Sequence, residues 1–376
     1  MTKSLNILIC PLEWGLGHAA RMIPLARKLR EMNHKVIIGS GEEHLSLFRN
    51  EIPGILLINF PGFKPAYSRF FPQYLSLLFK TPLLLYHICA EHYKLKKILS
   101  ENSVDIIISD NRFGLWNRSV TSVYISHMPL IPFPKRFKFL ESIGVALHQK
   151  IIKKYSFCFI PDLPGDLNLS GRLSHSIKLP GNIRFIGILS RFINSDSRHN
   201  ETPEKSDHTT VILSGPQPQR EILRQKLITL LKDNETQTII FDGKPHKSSD
   251  IAVSGNISFY SHLSASRMKE IIESSRNIIA RSGYTTIMEL VSLNCTALII
   301  PTPGQTEQEY LAKYLSEKGW FNTVTQGELK EGISFGTFKP MPYAEINRQS
   351  RILLEEALKE LLEKHHKEAK SDKTRE

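Results

Sequence analysis

A glycine-rich loop follows the first predicted strand, and a histidine stands where the next helix begins. Residues 11–21 read PLEWGLGHAAR. Gly15 and Gly17 would let the backbone approach a ligand closely, and a helix start offers free N–H groups to an anion. At the mouth of a parallel sheet, His18 would be a candidate general base near neutral pH. A plain turn that carries a surface histidine is the alternative.

The same loop also fits a relaxed dinucleotide-binding pattern, with Gly15, Gly17 and Ala20 at its three small positions. That pattern requires an acid at the end of the second strand. Here the second predicted strand ends in GSG at residues 39–41, so the acid, Glu42, comes late. The pattern alone therefore leaves the ligand open.

Asp110 follows the apolar run IIIS at residues 106–109. Because neighbouring parallel strands end at the same edge of a sheet, we expect Asp110 near His18. A carboxylate that orients an imidazole gives a base suited to deprotonating a hydroxyl nucleophile. Capping of the next turn is the alternative role for Asp110, and His127, after the next predicted strand, is a rival for the base.

A second loop joins a predicted strand to a predicted helix and reads RSGYTTIMEL from residue 281. Its small and hydroxyl residues can present N–H and O–H groups to a diphosphate at the helix start. Glu289 lies one turn into the helix, where its carboxylate can accept two hydrogen bonds from a ribose diol. An ordinary helix acid favoured by the dipole is the alternative. The candidate ligands are Arg281, Ser282, Gly283, Thr285, Thr286 and Glu289.

The next strand–loop–helix connection reads PTPGQTEQEY at residues 301–310. Glu307, Gln308 and Glu309 supply acceptors and an amide suited to sugar hydroxyls. Each acid taken alone is explained by the helix dipole. Two such loops in succession favour a ligand site.

Strands and helices that position these loops alternate along both halves of the chain. Strands are predicted at 5–10, 35–39, 55–60, 105–109, 122–126 and 157–160, and, after a polar stretch at 190–208, at 209–214, 237–241, 257–260, 277–280, 296–300 and 322–325. The clearest helical patterns are 21–32, 219–231, 267–275, 285–293, 306–318 and 343–364. This alternation predicts two doubly wound parallel-sheet domains, with ligands in the cleft between them.

The composition limits the class of protein. The chain has 376 residues and a net charge of +12, and its first 192 residues hold 25 Lys and Arg against 12 Asp and Glu. A charge confined to one half argues against a nucleic-acid-binding protein. The four cysteines are far apart, which predicts a reducing, cytoplasmic compartment without a disulfide framework or zinc site. The N-terminal apolar stretch is too short for a signal peptide, and the apolar region 75–90 is too short to span a membrane.

The whole arrangement resembles the GT-B glycosyltransferases, especially the bacterial transferases that add N-acetylglucosamine to the lipid-linked peptidoglycan precursor. The resemblance is clearest over residues 275–318. It matches Gly15, Gly17, Arg21 and His18 to the family's loop on the acceptor side, and Asp110 to the acid that orients the loop histidine in plant-type relatives. It also assigns the donor-binding residues, which are Gly215, Gln217, Arg281, Ser282, Gly283, Thr285, Thr286, Glu289, Glu307, Gln308 and Glu309. The prolines around Gln217 depart from the family's second glycine-rich loop.

The resemblance implies a UDP-sugar as donor substrate, an inverting transfer to a hydroxyl of a glycan or lipid-linked acceptor, and neither a cofactor nor a metal. The predicted domains are 1–192 for the acceptor, a linker at 193–208 and 209–342 for the donor. A helix at 343–365 would pack back on the first domain, and 366–376 would fray. Two other functions stay open: a UDP-sugar 2-epimerase, and a non-catalytic nucleotide-sugar-binding or scaffold protein.

The basic first half suggests a further partner. Apolar residues lie beside clustered Lys and Arg in 67–99 and 133–154. Such a surface suits an anionic membrane, at about 1 kcal/mol per basic residue, or a charged glycan acceptor. A packed helix pair with a solvated basic face is the alternative. The sequence thus predicts a cytoplasmic protein, with peripheral attachment to the inner membrane face as one hypothesis.

Overall fold

Apolar, β-branched runs in both halves form the strands of two sheets. The computed structural model describes residues 4–64, 81–193, 204–215, 217–243, 251–261 and 263–373. Within these residues the first sheet has the strand order β3-β2-β1-β4-β5-β6-β7, and its strands pair in parallel. Its strands are β1 (Asn6–Cys10), β2 (Lys35–Ser40), β3 (Leu56–Asn59), β4 (Ile106–Asp110), β5 (Thr121–Ile125), β6 (Phe157–Ile160) and β7 (Ile183–Phe185).

The second sheet has the order β10-β11-β9-β8-β12-β13-β14. It is parallel except for the edge strand β10, which pairs antiparallel with β11. Its strands are β8 (Ser206–Ile212), β9 (Gln237–Phe241), β10 (Ile251–Ser254), β11 (Ile257–Tyr260), β12 (Ser275–Ala280), β13 (Leu298–Ile299) and β14 (Asn322–Thr323). Because β8 begins at Ser206, the end of the predicted linker 193–208 belongs to this sheet.

The α-helices lie between the strands along the chain, except the last, which follows β14. They are α1 (Leu16–Glu31), α2 (Glu42–Glu51), α3 (Thr81–Glu101), α4 (Leu140–Ile152), α5 (Arg172–His175), α6 (Gln219–Leu231), α7 (Ala265–Ser274), α8 (Tyr284–Ser292), α9 (Thr306–Glu317) and α10 (Tyr343–Lys373). The two doubly wound α/β domains predicted from the alternation are therefore confirmed, and β7 and β10 are short strands that the sequence pattern does not reveal.

Strand register brings the candidate residues of the first domain to one edge. Cys10 at the end of β1 pairs with Ser109 in β4, and Asp110 pairs with Ile125 at the end of β5. Residues of β4 and β5 are buried throughout, because helices cover both faces of the sheet. The loop before α1, Asp110 and the segment after β5 therefore meet at the same rim.

Helix α10 returns from the second domain to the first. Glu355 lies 2.6 Å from Lys28, and Glu360 forms a bidentate pair with Arg184 at 2.7 Å. Near its end, Glu368 accepts a hydrogen bond from Thr121 at 2.9 Å. The helix packs back on the first domain, and it continues through residues 366–373, which the sequence predicts to fray, because this contact anchors its last turns.

Candidate active site at the domain cleft

His18 and Asp110 meet at the rim of the first sheet. His18 lies in the first turn of α1, whose preceding residue, Gly15, has a φ of 135° that favours glycine. His18 Nδ1 is 2.8 Å from Asp110 Oδ2. The side chain of His18 is 19% exposed, whereas that of Asp110 is 0% exposed. The pairing expected from adjacent strands is thus present in the structure, and one edge of the imidazole faces the cleft.

Arg21 lies beneath this pair and joins it to His127. Its Nε donates to Asp110 Oδ2 at 3.1 Å, and its Nη2 donates to Asp110 Oδ1 and also lies 2.9 Å from His18 Nδ1. Its Nη1 is 3.3 Å from His127 Nδ1. Arg21 is 1% exposed, so it supports the rim from inside the domain. The resemblance had instead assigned it to the loop that contacts the acceptor.

The buried charges adjust the protonation of the pair. Burial alone would raise the pKa of Asp110, but the charges of Arg21 and His18 and their hydrogen bonds outweigh it and lower the pKa. Burial and the neighbouring Arg21 lower the pKa of His18, against the opposing effect of Asp110. At neutral pH the pair therefore consists of an ionised carboxylate and a neutral imidazole, which is the state that a general base needs.

The start of α8 faces His18 from the second domain. Thr285 Oγ1 donates to the backbone oxygen of Gly17 at 3.0 Å. A Cβ on Gly17 would come within 3.2 Å of Thr285 Oγ1. Glycine at this position thus permits a close approach of the two domains, rather than of a ligand. Gly283 precedes α8 in an extended conformation, and Thr286 is buried in its first turn.

Glu289 of α8 is paired with an arginine that the sequence analysis missed. Arg191 Nε donates to Glu289 Oε1 at 2.7 Å, and both side chains are about nine-tenths buried. Burial raises the pKa of Glu289, although Arg191 partly offsets this effect. In the sequence, Arg191 is only a single cation shortly after the apolar run GIL at 187–189. Its pairing could not be predicted, because Glu289 lies 98 residues away.

Arg281 and Ser282 do not line the cleft, which corrects their predicted contact with the donor. Arg281 is 0% exposed, and its Nη groups bind the backbone oxygens of Ile300, Pro301 and Gln219. Burial lowers its pKa to about 9. Ser282 Oγ donates to the backbone oxygen of Gln308 at 2.9 Å. Both side chains thus link the loop before α8 to the 301–310 segment through buried hydrogen bonds.

The three residues of the 301–310 segment that were predicted to contact the donor sugar have different partners. Glu307 Oε1 lies 2.7 Å from His127 Nε2, across the cleft. Gln308 is buried, and its Oε1 accepts a hydrogen bond from the N–H of Thr302 at 2.9 Å. Glu309 accepts one from the N–H of Gly304 at 2.9 Å. Glu307 alone among the three is directed at the first domain.

Gly215 and Thr302 lie close together in the loops that follow β8 and β13 of the second sheet. Gly215 has a φ of 89°, and a Cβ there would lie 4.0 Å from Thr302 Oγ1. Thr302 Oγ1 and Gln305 Oε1 are buried atoms without a hydrogen-bond partner among the described residues. Gln217 is exposed. Thr302 is a second residue that sequence reasoning passed over, and its buried hydroxyl has no hydrogen-bond partner among the described residues.

The described ranges lack two features that would have pointed to other classes of protein. No cluster of three or more His, Cys, Asp or Glu side chains there is arranged to hold a metal ion. No helix in the same ranges combines the length and the apolar character needed to cross a bilayer.

Two facing Rossmann-like domains, with polar loops at the carboxyl ends of both sheets, define the GT-B glycosyltransferase fold. Residues 211–334 match the glycosyltransferase family 28 C-terminal domain. The chain therefore has the GT-B fold, and its residues 211–334 are similar to the family 28 C-terminal domain, in agreement with the resemblance.

Individual relatives agree with this assignment. An uncharacterized glycosyltransferase of Methanosarcina acetivorans is 25% identical over 325 residues, which cover 81% of this chain and 82% of the relative. A UDP-N-acetylglucosamine–N-acetylmuramyl-(pentapeptide) pyrophosphoryl-undecaprenol N-acetylglucosamine transferase of Latilactobacillus sakei is 26% identical over 139 residues, or 35% of this chain and 38% of the relative. The solved structure of the spinosyn rhamnosyltransferase SpnG superposes with a TM-score of 0.56 at 12% identity, covering 97% and 96% of the two chains. This last likeness concerns the fold alone.

Proposed function

We propose that the protein transfers a sugar from a UDP-sugar to an acceptor hydroxyl, with His18 as the general base. The observation that carries this proposal is the meeting of the His18–Asp110 pair with the start of α8 across the cleft, where Thr285 lies 3.0 Å from the backbone of Gly17. A base on one domain thus faces an anion-binding helix start on the other. The family 28 domain and the name of the L. sakei relative support UDP as the nucleotide.

The proposed reaction is a single displacement at the anomeric carbon. The acceptor oxygen attacks this carbon, and the bond from the carbon to the diphosphate oxygen breaks, so that UDP leaves with the electron pair. The hydroxyl proton passes to His18 Nε2. In the proposed mechanism the ionised Asp110, 2.8 Å from Nδ1, holds the imidazole proton there in competition with Arg21 Nη2, which lies 2.9 Å from the same nitrogen, and it stabilises the imidazolium that forms. Attack opposite the leaving group inverts the configuration.

The leaving diphosphate would be stabilised by the second domain. The free N–H groups and positive dipole end of α8 would act on it, together with the hydroxyls of Thr286 and Thr302, and the hydroxyl of Thr285 would join them by giving up its hydrogen bond to Gly17. Glu289 would release Arg191 and accept hydrogen bonds from the two ribose hydroxyls. The guanidinium of Arg191 would then be free to bind a phosphate oxygen. These groups can stabilise the negative charge of the leaving diphosphate as a bound cation would, and the proposed transfer therefore requires no metal.

The geometry at the end of β2 argues against the dinucleotide alternative. Gly41 N donates to Glu13 Oε1 at 2.5 Å, and a Cβ at Gly41 would meet the same carboxylate. Glu13 thus fills the place where a ribose would lie. The late acid, Glu42, is paired with Arg49 at 3.2 Å on the surface. Glu13 Oε1 thus already accepts protein hydrogen bonds and Glu42 lies in a surface ion pair, which disfavours a ribose diol at this position.

UDP is expected to raise the melting temperature, and NAD⁺ or NADH is not. A ligand at 100 times its Kd stabilises the folded state by about 2.7 kcal/mol, which shifts the transition by several degrees. A thermal-shift series with UDP, UDP-sugars, NAD⁺ and NADH measures this on the full chain. A shift with NADH alone would overturn the nucleotide assignment. Binding of UDP without donor hydrolysis or transfer would favour the scaffold, and conversion of the donor to its 2-epimer would favour the epimerase.

Helix α4 gives the first domain a surface suited to a membrane. Phe139, Ile143 and Leu147 are 69%, 56% and 56% exposed, and their four-residue spacing places them on one face. Exposed basic residues flank this face: Arg136, Lys138, Lys150, Lys153 and Lys154. We call these eight residues the α4 patch. The segment that leads from β5 to the α4 patch begins near His127, at the sheet edge that carries His18. A lipid-linked acceptor held at the patch could therefore extend towards the base.

Helix α3 adds to this surface. Leu85, Tyr86 and Tyr93 are 57%, 68% and 70% exposed, and only Glu91 and Leu95 of the helix are buried. This exposure disfavours the packed helix pair as an account of α3. Residues 65–80, which begin the apolar part of the predicted surface, lie outside the described residues. The proposed partner is therefore an anionic lipid surface that carries the acceptor.

Replacing Ile143 and Leu147 together by Glu is expected to abolish binding to anionic vesicles. The change removes two apolar contacts and adds two charges of the wrong sign, against an attraction of about 1 kcal/mol for each basic residue near the surface. Sedimentation with phosphatidylglycerol and phosphatidylcholine vesicles at low and high salt measures it. Ile352→Glu, an exposed apolar position on α10, is the matched control. Wild-type protein that stays in the supernatant at low salt would overturn the lipid partner and favour a soluble anionic glycan.

A further inference from the structure

His127 is held between the two domains by three contacts. Its ring stacks on that of Tyr284, with centroids 4.1 Å apart and an angle of 6° between the planes. Its Nδ1 is 3.3 Å from Arg21 Nη1, and its Nε2 is 2.7 Å from Glu307 Oε1. The residue is 3% exposed. The proposed displacement assigns no role to His127.

These contacts determine the tautomer of His127. A guanidinium only donates hydrogen bonds, so Nδ1 must accept from Arg21; an ionised carboxylate only accepts, so Nε2 carries a proton and donates to Glu307. Burial would raise the pKa of Glu307, but the adjacent His127 outweighs it and the pKa is lowered, which keeps the carboxylate ionised. Both ring nitrogens of His127 are therefore committed, which favours His18 over its rival as the base.

The same contacts complete a continuous chain of polar side chains across the cleft. It runs from His18 through Asp110 and Arg21 to His127, and ends at Glu307 on the second domain. The acid–base pair lies at one end, and the acid that the resemblance assigns to the donor sugar lies at the other. Glu307 is 28% exposed in its side chain, so its second oxygen remains accessible while the first is fixed.

We propose that His127 is a positioning residue that fixes one carboxylate oxygen of Glu307 and thereby aims the other at a hydroxyl of the transferred sugar. This role rests on the proposed function, because it requires the donor sugar to lie beside Glu307. A carboxylate fixed in this way accepts a hydroxyl in one direction only. A site built to bond a hydroxyl rejects a sugar whose hydroxyl points elsewhere, because the carboxylate oxygen is then covered by the bound sugar and left unpaired. His127 thus contributes to discrimination between sugar epimers.

Two His127 variants separate positioning from packing. His127→Phe keeps a ring against Tyr284 but removes both hydrogen bonds, whereas His127→Gln retains an amide that can donate to Glu307. For the full chain, donor KM, kcat and Kd are measured with UDP-glucose, UDP-galactose and their N-acetyl counterparts. His127→Phe is expected to lower the preference between epimers about ten-fold or more, and His127→Gln to restore much of it. His34→Gln, a buried histidine at the opposite end of the sheet, is the control.

A double-mutant cycle adds a readout that a purely structural role would not move. If His127 acts through Glu307, adding His127→Phe to Glu307→Gln should change the epimer preference no further. Additive losses, or an unchanged preference in both His127 variants, would overturn the inference while leaving the proposed function intact. Wild-type protein that binds and transfers both sugar epimers equally well would also overturn it. Wild-type protein that binds no UDP-sugar would overturn both.

Discussion

Replacing His18 by Ala is expected to lower turnover by about 10²- to 10⁴-fold while UDP binding survives. Of the two rim histidines, His18 and His127, only His18 has a ring nitrogen without a hydrogen-bond partner among the described residues. This nitrogen is Nε2, because Nδ1 faces Asp110. The side chain of His18 is 19% exposed. Removing it leaves the acceptor proton without a recipient but touches none of the proposed UDP ligands. Steady-state kinetics and calorimetry with UDP on the same preparation measure the two effects.

Asp110→Asn tests the same assignment from the other side. An amide cannot hold the imidazole proton on Nδ1 as a carboxylate does, so this change should also lower kcat, and the two variants combined should lose little more than one alone. Because Asp110 also pairs with the buried Arg21, the unfolding transition of each variant must be compared. His34→Ala is the matched control. Full turnover in His18→Ala would remove the histidine from the mechanism.

The pH profile gives an independent test of the base. The base must be unprotonated, so kcat/KM should fall as the pH drops through the pKa of His18. Burial and Arg21 lower that pKa below the ordinary value near 6.5. The acidic limb is therefore expected below pH 6.5. A limb well above this value would point to a different base.

The fold and one half of the site follow from local sequence signals. Apolar β-branched runs such as 106–109 and the helical spacing of 285–293 predict strand and helix, and the parallel alternation then brings Asp110 and His18 to one rim. The prediction succeeds because each step depends only on residues close in sequence and on the rules of parallel sheets. The same reasoning placed Thr285 and Glu289 at the start of a helix facing the cleft.

The remaining part of the site depends on contacts between residues far apart in the chain. Arg281 stands in the loop most typical of the family, yet its side chain turns inward to backbone oxygens 19 and 20 residues later. His127 and Glu307 meet although 180 residues separate them. A strand–loop–helix pattern shows where the backbone turns, but which side chains face the cleft is decided by partners on other elements.

Glu289→Gln is expected to weaken UDP binding about 100-fold and to remove the preference for ribose. Two hydrogen bonds from a ribose diol to a carboxylate contribute about 1.5–3 kcal/mol each, whereas a neutral amide accepts them less strongly. The decisive comparison is between UDP and 2′-deoxy-UDP by calorimetry. Wild-type protein should prefer UDP about ten-fold or more, and the variant should bind both alike. Glu270→Gln, an exposed acid on α7, is the control.

The ion pair with Arg191 makes this comparison necessary. Glu289 and Arg191 are both buried, so removing one charge leaves the other unpaired and destabilises the fold by about 3–5 kcal/mol. A loss of UDP affinity alone would therefore not distinguish a ribose ligand from a structural residue. Only a ligand role makes the preference for the 2′-hydroxyl disappear. If the variant and the wild type discriminate equally, Glu289 serves the interface with Arg191, and another residue binds the ribose.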